Sequence, residues 1–545
     1  MVAGCRFDSR AISQRSAWSS VCIVAACTSS MMMNGAYGMA VAIFLPAAGK
    51  DLDIPQNNLQ RIACFLVLFG RLADLYGRKR VWLAGFALDI YFWRCMHCLS
   101  RAVTSLTFYR DGITLDVLRG IQGIGGAAVI PAALGILAKA FPPSRARSAA
   151  FATFAAGAPL GGVVGFVLGG VLTQETKCVF PSVRFLPRIL LGLFVIDADE
   201  PSTEDDQRVD WLGAFLVSSG LVLLVFVLSD SPTAPKGWRA PYIIALTIVS
   251  FVLLLLFVMW QHYLERRQLD PTLPRTRWTA PPLMKLSMWG RAKGRFAVIQ
   301  LVACLNWASF VCWLVWVQLY YQSFLHMSRI DTVLRILPIF FVGVLANVVI
   351  SLIVGRVDLV YIIAIGTCFT GVANVFYAII RPSAPYWAYG FPSALIIVLG
   401  ADFVFAAGTL FIAKICLPHE QSVAGAVFQS MTQIGTSVGL SVSTIVFNSV
   451  LKSQSSRLGV EVDKAGTNAP FAAHLRAYHA AEWTGFAFGI FCTVVSLLFL
   501  RGVGVAGHED EHSTDSENTP VHSFSQEAPH TNIDEKLPSE GTNQR

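Results

Sequence analysis

Ionisable residues stand where apolar sequence should exclude them. Asp116, Arg119 and Gln122 follow one another at steps of three, so a helix would bring them into one polar stripe. An arginine inside an apolar segment needs a partner or water. A cation beside a carboxyl also sets how readily that carboxyl takes a proton. The chemistry on offer is reversible protonation, with a structural ion pair as the plainer reading. Asp402, in Gly400-Ala401-Asp402-Phe403, is the second such acid. It is a protonation site if a cavity reaches it, or a carboxyl capping a broken helix. Nothing else offers catalysis. There is no Ser/His/Asp or metal constellation of catalytic spacing and no G-x-x-x-x-G-K-[ST] loop. Cys95-Met96-His97-Cys98 is one isolated C-x-x-C, and His508, His512, His522 and His530 are scattered through a polar tail. An enzyme is not expected, nor a cofactor, a metal site or ATP-driven pumping.

The elements that must position those acids are membrane helices. Of 545 residues 54% are hydrophobic and only 14% are charged, with a mean hydropathy of +0.57, against roughly 25% charged in a soluble domain. A water-soluble chain is excluded. Long apolar runs such as 241–261 and 296–321 exclude the short alternating segments of a membrane β-barrel. A helical span needs about 20 mostly apolar residues. Fourteen candidates follow: 18–46, 58–76, 80–100, 113–140, 147–173, 181–196, 211–229, 241–262, 296–321, 330–354, 359–380, 387–415, 421–451 and 483–503. The apolar part is short in 58–76 and 181–196, and 80–100 carries Asp89, Arg94 and His97. An even number of spans puts both termini on one side. With that side cytoplasmic, inside segments hold 24 Lys and Arg and outside loops 15, as the positive-inside rule requires. The net charge of +8 is thus a topology signal and implies no nucleic acid. Most cysteines lie inside apolar segments (Cys22, Cys27, Cys304, Cys312, Cys368, Cys492) and act as small buried hydrophobes.

Several motifs sit on these spans. Gly70-Arg71-Leu72-Ala73-Asp74-Leu75-Tyr76-Gly77-Arg78-Lys79-Arg80 closes the second. Its glycines permit a tight turn, and Asp74 suits either a helix-terminal N–H or an arginine. In the fifth span Gly157, Gly161, Gly165 and Gly169 recur every fourth residue, giving one smooth face, and Pro159 should bend the helix. Gln429, Thr432, Gln433 and Thr436 make a polar stripe on the thirteenth, which should face the bundle interior and line a substrate path or glue helices. Asn34 in the first span reads likewise. In the ninth, Trp307, Phe310, Trp313 and Trp316 could form an aromatic wall, with core packing the alternative. Tyr320 and Tyr321 at its outer end read as an interfacial belt. Leu66–Leu72 and Ser351–Val357 both end in apolar-Gly-Arg-apolar, a hint of an internal repeat.

These motifs resemble those of the major facilitator superfamily. The second-span loop resembles its G-x-L-a-D-r-x-G-r-k-r signature, with Leu75 where the family usually has Arg. The resemblance implies gating roles for Gly70, Arg71, Asp74, Gly77 and Arg78. Arg119, Gln122 and Gly123 resemble the R-x-x-q-G motif of proton-coupled members. Gly161-x-x-x-Gly165-Phe166-x-x-Gly169-Gly170 resembles the g-x-x-x-G-P-x-x-G-G element of exporters, with Phe166 in place of Pro. Asp210-Trp211-Leu212-Gly213-Ala214 and Trp313-x-x-Trp316-Val317-Gln318-Leu319-Tyr320-Tyr321 look like the fungal fourteen-span drug:proton antiporters, in the subgroup named for aminotriazole resistance.

The expectation is an all-α polytopic protein of facilitator fold. A cytoplasmic tail (1–16) precedes a six-helix bundle (17–200). Two inserted spans with a basic cytoplasmic loop (201–295), a second bundle (296–505) and a disordered tail (506–545) follow. The resemblance implies export of small organic molecules against protons by alternating access, from a monomer in the plasma or vacuolar membrane. Asp116, Arg119 and Asp402 would couple protons; Asn34, Gln122, Trp313, Gln429 and Gln433 would line the cavity. A nutrient importer of the same fold, or a transport-inactive member, is the alternative.

Overall fold

The computed structural model describes residues 17–52, 66–102, 112–141, 145–175, 196, 208–231, 234, 237–269, 280–354, 356–417, 420–462 and 468–501. Among them the elements are helical. They are α1 (Ala17–Leu52), α2 (Leu66–Tyr76), α3 (Arg78–Ala102), α4 (Gly112–Ala140), α5 (Arg145–Glu175), α6 (Trp211–Asp230) and α7 (Pro241–Leu269). After these come α8 (Arg295–Leu319), α9 (Arg329–Ile336), α10 (Pro338–Ile353), α11 (Leu359–Ala378), α12 (Tyr386–Ile415), α13 (Gln421–Arg457) and α14 (Phe471–Phe499). Ten stretches are long and apolar enough to cross a membrane among the described residues.

The helices map onto the expected spans with instructive differences. The tenth span is two helices, α9 and α10, with Pro338 opening the second; proline is tolerated there because a first-turn N–H has no helical partner. The last helix begins at Phe471, well before the apolar run at 483. The sixth span, 181–196, lies outside the described residues except for Ile196, as do the tails 1–16 and 506–545.

Two helix groups pack by the same rule. In the first, α5 lies along α1 through its glycine face. A Cβ added to Gly157 would lie 2.6 Å from the Thr28 carbonyl oxygen, one on Gly161 would strike that of Met32, and one on Gly165 that of Ala36. Both partners advance by four residues, so two backbones touch along parallel ridges. In the second group α13 repeats this against α8, with Gly435 on Cys304 and Gly439 on Ala308. The third and fourth helices of each group also match. Cβ atoms on Gly85 (α3) and Gly125 (α4) would each lie 2.9 Å from the other's carbonyl oxygen. Gly366 (α11) and Gly400 (α12) make the same crossing at 3.0 and 2.6 Å. The internal repeat is thus written in glycines. The groups meet through α5 against α10 and α12, and through α2 and α4 against α13.

The pair α6–α7 packs on itself. Asp210 caps α6, its Oδ1 accepting from Gly213 N (2.8 Å) and Trp260 Nε1 (2.9 Å), while Oδ2 accepts from Gln261 Nε2 (2.6 Å). Ile244, Ile248, Phe251, Leu255 and Met259 of α7 are exposed, which in a bilayer is contact with lipid chains.

Candidate functional site

The end of the molecule that carries Gly77 is tied shut across the two groups. Gly77 has φ 109°, a left-handed conformation that costs a side-chain-bearing residue roughly 1–2 kcal/mol; it lets the chain reverse between α2 and α3. That turn places Arg78 over Asp74, with Nη2 3.0 Å from Oδ1. Arg78 Nη1 also donates to Gly135 O of α4 at 2.8 Å. The second carboxylate oxygen of Asp74 accepts the backbone N–H of Val423 at 3.1 Å. Val423 lies in the first turn of α13, where N–H groups lack helical partners and the helix dipole favours an anion. Nearby, Arg147 of α5 donates to Ala413 O at the end of α12 (3.1 Å). A small cavity beneath is lined by Leu134, Ala138, Phe151, Ala413, Gln421 and Gly425.

The α6–α7 pair reaches the same place. Gln261 Oε1 accepts from Met284 N (3.1 Å), and Glu265 accepts from Leu286 N (3.0 Å) and Ser287 N. This fixes a short helical turn, Leu286–Gly290. The residues flanking it, Lys285 and Arg291, pair with buried Glu420 at 3.0 and 2.6 Å. Glu420 directly precedes α13.

Asp402 lies where the groups meet nearer mid-helix. It is 8% exposed, and its Oδ2 accepts from Asn347 Nδ2 of α10 at 3.0 Å. Asn347 Nδ2 also donates to Gly343 O at 2.9 Å, while its Oδ1 has no hydrogen-bond partner among the described residues. A methyl group added at Gly343 would lie 2.7 Å from Pro159 Cβ of α5 and 3.0 Å from Asp402 Oδ2. The proline expected to bend α5 therefore packs against α10 beside the acid, and Gly162 meets Phe340 next to it.

The other expected residues fall as follows. Arg71 is buried. Asp116, Arg119 and Gln122 lie on α4 as the spacing requires, but their side chains are outside the described residues, as are the surroundings of Gly70, Gly169 and Gly170. Asn34 is half-buried on α1, and Gln433 half-buried and Gln429 buried on α13. Trp313 is 1% exposed, its indole N–H donates to Ser393 Oγ (2.5 Å), and its ring meets Tyr377 edge-on, the arrangement of the core-packing alternative. One expectation is corrected. Tyr320 and Tyr321 are not an interfacial belt: each is 2% exposed. Beyond Leu319 the helix widens, with Leu325 N donating to Tyr320 O, and this turns both rings inward onto Tyr377.

Two groups escaped the sequence reading. Asp89, noted only as a charge at membrane depth, is buried against α4, where a Cβ on Gly125 would lie 2.5 Å from its Oδ1. Glu482 is buried on α14, and neither carboxyl oxygen has a hydrogen-bond partner among the described residues.

Comparison with known proteins adds three findings. The sequence pattern described as Major Facilitator Superfamily matches residues 61–237 and 233–440. The Low affinity ammonium transporter of Saccharomyces cerevisiae is 26% identical over 78% of this chain and 81% of its own length, and the Aminotriazole resistance protein of the same organism is 23% identical over 80% and 74%. The fold is shared with a solved proton:xylose symporter, XylE, at a TM-score of 0.56 and 11% identity, covering 90% of this chain and 98% of that one.

Proposed function

We propose, from the premise that this chain belongs to the Major Facilitator Superfamily and is one of its multi-pass membrane transporters, that it exports small organic molecules in exchange for protons. Asp402 carries this reading. It is buried between the two helix groups and touches a residue of α10 whose other polar atom lacks a partner among the described residues. An ionised Asp402 accepts from Asn347. A proton on Asp402 weakens it as an acceptor and makes it a donor, which Asn347 Oδ1 can take after the amide turns. The change happens beside Pro159 and Gly343, so protonation acts directly on the α5–α10 contact. The two groups then rock about that line, which is alternating access. Asp116 and Arg119 on α4 act as a second coupling pair. Asn34, Gln122, Gln429 and Gln433 belong to the substrate path. The expected frame is two six-span bundles with α6–α7 inserted, both termini cytoplasmic and the Gly77 end facing the cytoplasm.

Radiolabelled aminotriazole, after the similar Aminotriazole resistance protein, is the test substrate. In vesicles with an imposed pH gradient the wild type should move it against its gradient. Asp402→Asn and Arg119→Ala should reduce proton-driven flux to that of empty vesicles while the protein still reaches the membrane. Undiminished flux in both variants would sink the assignment. Import is the second reading, favoured by the relative named an ammonium transporter. Uptake of labelled methylammonium by cells producing the protein, with no aminotriazole efflux, would select it.

A further inference from the structure

We propose that Glu482 is a second proton-binding site, enclosed within the α8–α11–α13–α14 group. The carboxyl is 2% exposed and its two oxygens have no hydrogen-bond partner among the described residues. A carboxylate in that position would be a buried charge with nothing to offset it, a far larger cost than a buried neutral acid. The side chain therefore holds a proton when this group is closed.

The helices around this part of α14 are closely packed. One turn along α14, a Cβ on Gly485 would strike Asn374 Oδ1 and lie 3.0 Å from Cys312 Cβ. Asn374 Nδ2 is in turn engaged with Ser309 Oγ (3.2 Å), whose hydroxyl donates to Gly485 O (2.7 Å). Trp316 stacks on Phe447 and meets Tyr478 edge-on. Cys312 on α8 and Tyr377 on α11 are titratable groups within electrostatic reach of Glu482.

Its role in exchange rests on the proton-coupled reading above; the site itself does not. Infrared spectroscopy of the purified full chain in phosphatidylcholine vesicles at neutral pH reads the carbonyl stretch of neutral carboxylic acids without any transported substrate. Glu482→Gln should remove one such band that Asp402→Asn leaves in place. Because the amide replaces a neutral acid of the same shape, Glu482→Gln should melt at or above the wild-type temperature. A spectrum unchanged by Glu482→Gln, or a melting temperature lowered by it, would mean that the group is ionised, and either result overturns the site. A failure of aminotriazole transport would leave these bands untouched, so the two readings fail separately.

Discussion

Replacing Asp74 with alanine should free the first turn of α13 and speed amide exchange at Val423 by about 100-fold. The carboxylate has two jobs, one on each oxygen: it pairs with Arg78, and it accepts the N–H of Val423 from the opposite helix group. Removing one partner of a buried ion pair costs about 3–5 kcal/mol. The Arg78 side chain is 13% exposed and keeps its bond to Gly135 O, so the lower end applies. About 3 kcal/mol is roughly a 100-fold change in an equilibrium at about 1.4 kcal/mol per factor of ten. The change should appear as opening at the Gly77 end, read by hydrogen–deuterium exchange of a peptide spanning 419–428. Asp74→Asn keeps an acceptor for Val423 and should show a smaller increase. Exchange at Val423 as slow in Asp74→Ala as in the wild type would mean that this contact does not hold the two groups together.

The second large effect contrasts one substitution at two glycines. Gly161→Ala should lower stability and the yield of folded protein, whereas Gly126→Ala should raise both. An added methyl group at Gly161 meets the Met32 carbonyl, and at Gly126 it meets nothing within 4 Å. Overpacking costs about 1–3 kcal/mol, and here the obstacle is backbone, which cannot rotate away as a side chain would. In open space alanine is better than glycine in a helix by about 1 kcal/mol. The two variants should therefore differ by about 3 kcal/mol, visible as melting temperatures on opposite sides of the wild type in detergent. Equal melting temperatures would show that α1 and α5 are not in backbone contact.

Local chemistry was legible in the sequence, and long-range pairing was not. The four-residue glycine repeat announced a smooth face on α5, and the structure lays that face on α1. The G-x-L-a-D run announced a turn and an acid seeking an N–H. Nothing in it pointed to Val423, because a helix N-terminus carries no sequence mark of the acid that will cap it. Tyr320 and Tyr321 misled because a tyrosine pair at a span end fits an interface, and the widening that turns them inward depends on backbone hydrogen bonds. Glu482 was missed for a simpler reason. A charge ends an apolar run, so the apolar pattern places the start of the last span just after it, at 483, whereas the helix begins at Phe471. The signal was an acid between Ala480-Ala481 and Trp483 with aromatic and small residues on both sides.

The tether from α6–α7 to Glu420 gives the inserted pair a mechanical meaning. α7 presents a broad apolar face outward, while Gln261, Glu265, Lys285 and Arg291 form an unbroken line of contacts to the residue before α13. If α13 swings away from Asp74, it must drag that arm sideways through the surrounding lipid or let go of both cations. The viscosity and lateral pressure of the membrane thus act as a load on the rate at which the transporter turns over.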